Sequence, residues 1–411
     1  MSCDFWILLR IMKLKCCRLC SSTDIVKAID LGHHPLADTF LEEDASSTPE
    51  ISYPLQLGLC RKCGHVFTLY TVSPEDRYQK HDYSYDSSNS RVSISHFQEL
   101  SAAAIEATSI SKGATIVDIG CNVGTLLAHF KVAGFNNVIG IEPAGNIARI
   151  AIENNIKCIN KFFDSSVVSE IKKLGKVDLL LSTNVVNHTD DIEGVLDNSK
   201  EILSERGVFI FEVPYLLDLV NKTAFDTIYH EHVHYFGMKA LSFALTRKGF
   251  SIFKVERLEY MCGSIRVYAR QGGQHSDVVD RMIEEECASG IYDLRAYEEF
   301  MSRIQNLKFL ANMHLWKIKS DGGKIIGIGA ATKGNTLLNF CRFDSDLISY
   351  VTDSSLLKIG KFTPGSRIPI RSDSAIDGTV THALILPWNI ADYLKKKLAH
   401  LNLEFYTPQI N

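Results

Sequence analysis

The sequence has no marked excess of either charge, and it has no long apolar run. Lysine and arginine number 44 against 48 aspartates and glutamates, so the net charge is -4. A chain without a basic excess has little to neutralise a phosphate backbone, which argues against nucleic acid as a partner. The longest apolar run, residues 5–12, is broken by Arg10 and is much shorter than the roughly 20 residues that span a bilayer. We therefore expect neither nucleic-acid nor membrane binding.

The first residues also lack the marks of an export signal. Residues 1–10 contain no basic leading region and no small-residue cleavage site. We predict a disordered extension over residues 1–14, with Met12 as an alternative translation start, and a cytoplasmic protein. Because thiols stay reduced in that compartment, the eleven cysteines are not expected to form a disulfide framework.

Four cysteines have the spacing of a metal site. Cys17 and Cys20 form one C-x2-C knuckle, and Cys60 and Cys63 form a second one about forty residues later. Four thiolates close the coordination sphere of a zinc ion, so such a zinc stabilises a small module and does no chemistry. We predict a structural zinc in residues 15–81. The alternative is that one pair is coincidental or redox-active, since Cys16 leaves the register of the first knuckle ambiguous.

The rest of the chain alternates strand-like and helix-like segments. Its length exceeds what one core usually supports, so two or three domains are expected. Short β-branched runs predict a parallel sheet covered by helices, and two further runs predict a terminal antiparallel pair. We assign residues 82–277 to this domain and residues 278–411 to a helical linker followed by a smaller α/β domain. The predicted strands of the first domain are residues 115–119, 137–141, 177–181, 207–211, 251–255 and 264–268.

A glycine-rich turn follows the first of these strands. Asp118, Gly120 and Gly124 lie in D-x-G-x-x-x-G, where glycines allow a tight turn at a helix N-terminus. Glu142 ends the next strand, where a carboxylate can accept the hydroxyl groups of a ribose. The combination predicts a nucleoside site. A second glycine turn leads from Gly329 to Lys333 and suits a phosphate, unless its glycine serves only helix packing.

Residues 229–236 are rich in histidine and tyrosine and contain the string H-E-x-x-H. A zinc protease needs that string on a helix, but the neighbouring residues here are poor helix formers. The segment also follows a strand of the sheet, where parallel sheets bind ligands. We therefore favour a general acid/base cluster, with a purely structural histidine cluster as the alternative.

Several of these blocks together resemble the zinc-containing sugar C-methyltransferases of deoxysugar biosynthesis. The blocks are the two knuckles, the glycine turn of class I methyltransferases at residues 118–127, and residues 229–236, 329–339 and 386–389. The resemblance runs from about Lys15 to the C-terminus. It implies a Rossmann-like methyltransferase domain between a zinc module and a smaller α/β domain. It also implies S-adenosylmethionine as the cofactor, and methylation of the carbon next to the ketone, commonly C3, of a nucleotide-linked 4-keto-6-deoxysugar in its dTDP or GDP form.

The resemblance also assigns roles to residues. Separately from it, we expect a monomer. His232 is the expected base, assisted by Tyr229, Glu231, Tyr83 and His188. The other expected site residues are, for the cofactor, Asp118, Gly120, Asn122, Gly124, Glu142, Pro143 and Asn184, and, for the substrate, Lys333, Asn335, Tyr85, Trp388 and Asn389. The sequence departs from the family pattern at two places. In the cofactor loop, Val123 stands where relatives often have an acidic residue. Directly before Gly263, Met261-Cys262 stand where relatives commonly have a histidine, which concerns the sugar specificity.

Two other functions remain open at this point. An O- or N-methyltransferase would use the same base on a hydroxyl or amine, and proton exchange at the sugar carbon would distinguish it. A non-catalytic zinc-containing nucleotide-binding protein would not bind adenosylmethionine in a calorimeter.

Overall fold

A computed structural model of the protein describes residues 12–42, 49–80 and 82–408. Residues 1–11 of the predicted extension lie outside the described residues. The prediction that the disordered extension runs to residue 14 is wrong, because Met12–Lys13 form strand β1. This strand pairs with β5 (Tyr70–Thr71). The backbone of Leu14 continues this contact by donating to the carbonyl of Leu69 at 2.8 Å.

The N-terminal sheet is antiparallel and carries the cysteine knuckles at its end. Its strands are β2 (Ile25–His34), β3 (Tyr53–Cys60) and β4 (Val66–Thr68), and helix α1 (Pro74–Tyr78) follows it. A fourth strand, β11 (His234–Tyr235), pairs with β4 from much later in the chain. The histidine-rich segment is therefore built into the sheet of the zinc module.

The central sheet has seven strands in the order β12-β13-β10-β9-β6-β7-β8. The five strands from β10 to β8 are parallel, and β12 and β13 form the antiparallel pair at one edge, which confirms the predicted arrangement. Continuous burial of β6 and β7 explains why their residues are mostly apolar, apart from Asp118 in β6. The strands are β6 (Ile116–Ile119), β7 (Val138–Ile141), β8 (Lys157–Ile159), β9 (Val177–Thr183), β10 (Leu203–Pro214), β12 (Phe250–Leu258) and β13 (Ser264–Gln271).

Helices cover both faces of this sheet. Large apolar side chains such as Phe130, Phe209 and Phe211 fill the layers between helices and strands. The helices are α2 (Arg91–Thr108), α3 (Thr125–Val132), α4 (Gly145–Glu153), α5 (Ser165–Lys172), α6 (Ile192–Ile202), α7 (Leu216–Asn221) and α8 (Met238–Arg247).

The predicted linker is a helix pair, α9 (Asp277–Ala288) and α10 (Leu294–Ser320). Phe300, Ile304 and Leu307 lie on the buried face of α10 at the helical spacing that the sequence shows, and Ala311 and Leu315 continue this face. Leu310, which has the same apparent spacing in the sequence, is 52% exposed. Among the described residues, no helix is long and apolar enough to cross a membrane.

The C-terminal domain is a second parallel sheet, in the order β16-β15-β14-β17-β18. This confirms the predicted smaller α/β domain. Its elements are β14 (Ile325–Ile328), α11 (Thr332–Cys341), β15 (Val351–Asp353), β16 (Ile370–Ser372), β17 (His382–Ile385), α12 (Ala391–Lys397) and β18 (Glu404–Tyr406).

Candidate active site and metal centre

The four predicted zinc ligands converge. The sulfur atoms of Cys17, Cys20, Cys60 and Cys63 all lie within 4.8 Å of one another. The Cys17–Cys63 and Cys20–Cys60 sulfur atoms are 3.6 and 3.5 Å apart. Four thiolates each about 2.3 Å from one ion have sulfur–sulfur separations near these values, so the cluster fits a closed tetrahedral zinc site.

The metal centre is linked to the histidine-rich segment. Cys17 Sγ lies 3.6 Å from His65 Nδ1, and His65 Nε2 lies 3.0 Å from His234 Nδ1. His234 Nε2 in turn lies 2.8 Å from the carbonyl oxygen of Thr189. Together with the pairing of β4 and β11, these contacts fix the position of residues 229–236 relative to the zinc module.

Three of the predicted cofactor residues follow neighbouring strands of the central sheet. Asp118 lies in β6, Glu142 follows β7, and Asn184 follows β9. One oxygen of Asp118 and the amide oxygen of Asn184 are buried without a hydrogen-bond partner. Burial raises the pKa of Asp118 to about 8, with a further contribution from Glu142, and burial raises the pKa of Glu142 to about 7. Unpaired acceptors at the carboxyl edge of a parallel sheet suit the hydroxyl and amino groups of a nucleoside.

The turn between β6 and α3 requires its glycines. Gly120 and Gly124 have φ of +68° and +83°, and an added Cβ would lie 2.3 Å from Val185 and 2.6 Å from Ile156. Asn122 also has a positive φ, and its amide group binds the backbone of residues 85 and 87. Its side chain therefore holds the segment before α2 above the cofactor edge. Pro143 is half-buried directly after Glu142.

His232 is held between a carbonyl and a phenol. Its Nδ1 lies 2.8 Å from the carbonyl oxygen of Thr227, and its Nε2 lies 2.6 Å from the hydroxyl of Tyr229. A carbonyl oxygen only accepts, so Nδ1 carries the proton, and Nε2 of the neutral ring accepts from Tyr229. Burial lowers the pKa of His232 to about 3, which keeps the ring neutral at ordinary pH.

Tyr78 connects the remaining predicted catalytic residues. The His188 ring packs edge-on against His232 with centroids 4.6 Å apart, and its Nδ1 lies 2.7 Å from the hydroxyl of Tyr78. The ring of Tyr83 also packs against Tyr78, with centroids 5.7 Å apart. Arg77 binds the carbonyl oxygen of His188 at 2.9 Å. The structure thus brings Tyr83, His188, Tyr229 and His232 into one aromatic cluster.

Glu231 is linked to the segment of Tyr83 by Asp38, a residue that the sequence analysis did not single out. The backbone amide of Asp38 donates to Glu231 at 3.1 Å. The carboxylate of Asp38 accepts from the hydroxyls of Ser84 at 2.8 Å and of Thr332 at 2.7 Å. Burial and the neighbouring Asp38 raise the pKa of Glu231 to about 7.

Of the residues expected to bind the substrate, Lys333 and Trp388 lie together beside Asp226. The Lys333 ammonium lies 3.8 Å from Asp226, 3.1 Å from Cys262 and 4.6 Å from the centre of the Trp388 ring. The indole N–H of Trp388 donates to Asp226 at 2.8 Å. Asp226 and Trp388 also line a cavity of about 280 Å³. Lys333 thus already has a carboxylate partner within the protein.

The other expected substrate residues have mixed surroundings. Asn335 is buried in α11 and donates to the carbonyl oxygen of Ala37 at 2.7 Å, so it joins two domains. Tyr85 lies in the segment held by Asn122, whereas Asn389 is exposed in a turn after β17.

The H-E-x-x-H string does not lie on a helix, as a zinc protease would require. Residues 230–233 form a turn that leads into β11, and the two histidines of the H-E-x-x-H string point to different partners. His230 packs against the ring of Tyr53, whereas His234 contacts His65. Aromatic and β-branched neighbours favour this extended conformation over a helix.

Sequence reasoning missed Asp38, Arg77 and Tyr78. Asp38 lies in a loop without hydrophobic periodicity, and Arg77 and Tyr78 lie in a five-residue helix. Arg77 and Tyr78 contact His188, which lies 111 and 110 residues away along the chain, and Asp38 contacts Ser84 and Thr332, which lie 46 and 294 residues away. A local pattern contains no signal for such contacts.

Comparison with known proteins covers almost the whole chain. Family models match a zinc binding domain at residues 17–78, a methyltransferase domain at residues 93–255 and a C-methyltransferase C-terminal domain at residues 260–404. The C-methyltransferase NovU of Streptomyces niveus is 32% identical over 380 residues, which are 91% of this chain and 90% of that one. A ubiquinone biosynthesis O-methyltransferase of Rhodopseudomonas palustris is 29% identical over 99 residues, or 24% of this chain and 39% of its own. Among solved structures, the magnesium protoporphyrin IX methyltransferase of Synechocystis PCC 6803 matches with a TM-score of 0.34 and 14% identity, covering 44% of this chain and 82% of its own.

The sheet order, the cofactor edge and the cysteine cluster define a methyltransferase that uses S-adenosylmethionine and carries a four-cysteine zinc site. Since the likeness to NovU extends through all three domains, the chain belongs to the family of C-methyltransferases with an N-terminal zinc-binding domain and a C-terminal α/β domain. This membership supports neither of the alternatives left open by the sequence.

Proposed function

We propose that this C-methyltransferase acts on a nucleotide-linked 4-keto-6-deoxysugar, in its dTDP or GDP form, and methylates C3 next to the ketone. The observation that carries the proposal is the hydrogen-bonded pair of Tyr229 and His232, with its neutral imidazole. A proton next to a ketone is too weak an acid for water at neutral pH, so its removal needs a positioned base and a donor for the enolate oxygen. The pair supplies one group of each kind.

His232 is the base in this proposal. Its Nε2 has a free lone pair only while Nδ1–H donates to Thr227, and the structure has that contact at 2.8 Å. When the substrate binds, the hydroxyl of Tyr229 turns from Nε2 to the ketone oxygen. The same movement exposes the base and supplies the hydrogen bond that stabilises the developing enolate.

The neighbouring residues orient this pair and the sugar. His188 packs against the ring of His232, and Tyr83 packs against Tyr78, next to the cofactor loop. Glu231 and Asp38 place buried acceptors near the sugar hydroxyls. Asp118, Glu142 and Asn184 bind the adenosine and amino-acid parts of the cofactor, together with the loop formed by Gly120, Asn122 and Gly124.

Bound S-adenosylmethionine supplies an electrophilic methyl group on its sulfonium. In this proposal Nε2 of His232 would take the proton of C3. The electron pair left on C3 would form the new bond to the methyl carbon as the methyl–sulfur bond breaks, and the electrons of that bond would stay on the sulfur of the departing S-adenosylhomocysteine. The base must therefore face one side of the sugar ring while the cofactor edge faces the other.

Deuterated substrates test the position of methylation. The ketone at C4 activates both C3 and C5, so dTDP- and GDP-linked 4-keto-6-deoxysugars are prepared with deuterium at one or the other carbon. We expect a methylated product that has lost deuterium from C3 and retained it at C5, as mass spectrometry would show. Loss of deuterium from the C5-labelled substrate alone would contradict the proposal. Methylation of a hydroxyl group, with deuterium retained in both labelled substrates, would contradict it as well.

A further inference from the structure

Lys358 is a buried cation with which no carboxylate of the described residues is paired. In the part of the chain that the structure describes, the buried lysine and arginine residues are Arg77, Arg266 and Lys358, and Lys358 is 6% exposed. Arg77 pairs with Asp190, and Arg266 pairs with Glu212 at 2.7 Å. For Lys358 the described residues provide only a carbonyl oxygen, that of Ala330 at 2.9 Å, and the ring of Phe40, 5.0 Å from the ammonium.

A cation in this position needs an anion. Removing an ammonium group from water costs several kcal/mol, and one carbonyl oxygen satisfies only one of its three N–H groups. Unlike Lys333, which has Asp226 beside it, Lys358 has two donors left for a ligand.

Other unpaired groups lie in the same loop and at the helix beside it. Ser355, one turn before Lys358, is 4% exposed, and its hydroxyl has no hydrogen-bond partner. The carbonyl oxygen that Lys358 binds belongs to the turn between β14 and α11. Helix α11 has ten residues and no side-chain cap at its N-terminus, so the amides of its first turn are available to an anion.

This place is next to the active site. Leu357 and Tyr83 both pack against the buried apolar cluster that contains Val123 of the cofactor loop. Thr332, at the start of α11, donates to Asp38, which contacts Glu231. A ligand whose anionic group binds Lys358 would therefore lie close enough for its other end to reach the cluster of Tyr83 and His232.

We propose that Lys358, Ser355 and the first turn of α11 bind the diphosphate of the substrate. This inference rests on the proposed function, which requires a nucleotide-linked sugar. It assigns the phosphate contact to a lysine in the loop after β15, whereas the sequence pattern pointed to Lys333 in the glycine turn.

Calorimetry with inorganic pyrophosphate tests this site in the full-length, zinc-loaded protein at low ionic strength. Loss of a charged hydrogen-bonding partner should weaken binding about tenfold or more in Lys358→Met. Lys361→Met is the matched control, because Lys361 lies in the same loop but pairs with Glu42 at 2.8 Å, and it should bind pyrophosphate nearly as the native protein does. Undiminished affinity in Lys358→Met, or the larger loss in Lys333→Met, would overturn the proposal, as would a native protein that does not bind pyrophosphate.

Thermal unfolding separates binding from a structural role. Replacing an unpaired buried cation by an apolar side chain of similar length should leave the melting temperature equal or higher without ligand. Pyrophosphate should then raise the melting temperature of the native protein but not that of Lys358→Met. A marked fall in the ligand-free melting temperature of the variant would make Lys358 a structural residue and contradict the proposal.

A second variant keeps the lysine in place. Ser355→Ala removes one hydroxyl and should weaken pyrophosphate binding about threefold or more, while the affinity for S-adenosylhomocysteine stays unchanged. Unchanged pyrophosphate affinity would remove Ser355 from the site. If pyrophosphate binding depends on Lys358 but no 4-keto sugar nucleotide is methylated, the proposed function fails and the anion site stands.

Discussion

At the scale of single residues, the site depends on buried groups whose ionisation is shifted. Glu142 accepts from the amides of Ala144 at 2.9 Å and Asn122 at 3.1 Å, which hold its carboxylate in the glycine turn. Burial nevertheless raises its pKa to about 7. Each oxygen keeps a second lone pair for a ribose hydroxyl, but only the ionised form accepts from both hydroxyls.

We therefore predict that adenosylmethionine binding weakens as the pH falls from 8 to 6. A raised pKa means that the carboxyl is increasingly protonated below about pH 7, so the cofactor must displace a proton to bind. The affinity measured by calorimetry should fall, by up to about tenfold per pH unit below the pKa. Glu142→Gln should bind more weakly and lose the step near pH 7. Constant native affinity over this range would remove Glu142 from cofactor binding.

His232 and Tyr229 should differ in the step that they affect. His232→Asn should abolish exchange of the substrate α-proton and slow methylation by about 10²–10⁴-fold, because it removes the base. Tyr229→Phe leaves Nε2 of His232 free, so slow exchange should remain while the turnover number falls. Deuterium uptake in heavy water, with S-adenosylhomocysteine bound, measures the first effect, and single-turnover assays measure the second. Native turnover in His232→Asn would transfer the role to another residue.

At the scale of secondary-structure elements, the sequence predicted what local patterns contain. Strands β6, β7 and β9 are buried and mostly apolar, and their ends differ from the predicted ones by at most two residues. The three-residue strands β8 and β18 are partly exposed and carry no such pattern. Strand β11 has only two residues and exists because β4 offers it a partner, which no local signal could indicate.

The same distinction applies to the site. The cysteine knuckles and the glycine turn are recognisable because their members are close in sequence. Asp38 and Thr332 bind each other across 294 residues, and Lys358 is notable only because its surroundings lack a carboxylate. Such features depend on the packing of whole domains.

The pairing of β4 with β11 predicts that zinc removal loosens the catalytic segment. Cys60→Ser should bind no zinc in metal analysis, because three thiolates leave the site open, whereas the native chain should bind one ion. Hydrogen–deuterium exchange should then become faster in residues 229–236, which contact the zinc module through His65 and β4. Helix α12 should exchange as before, since it lies in the C-terminal domain. Unchanged exchange in residues 229–236 would show that the module does not position them.

At the scale of the whole molecule, the three domains meet at one buried carboxylate. Asp38 follows the N-terminal strand β2, Ser84 precedes the methyltransferase helix α2, and Thr332 begins the C-terminal helix α11. Asn335 adds a bond from α11 to the carbonyl oxygen of Ala37. The proposed substrate site lies between these domains, so its shape would depend on how they are held together.

Thr332→Val isolates the contact between the first and last domains. The change keeps the shape of the side chain but removes the donor to Asp38 and leaves that carboxylate oxygen with one partner fewer, at a cost of about 1–3 kcal/mol. If the contact holds the domains in their binding arrangement, the open arrangement becomes more populated, and the apparent dissociation constant of the sugar nucleotide should rise by up to about tenfold. Adenosylmethionine affinity and zinc content should not change, because neither site includes Thr332. Thr379→Val is the matched control: Thr379 is exposed in the same domain, and its hydroxyl bonds Asp377 at the surface, so calorimetry should give native affinity. Equal sugar-nucleotide affinities in the two variants would mean that packing alone holds the domains, and that Asp38 acts only within the site.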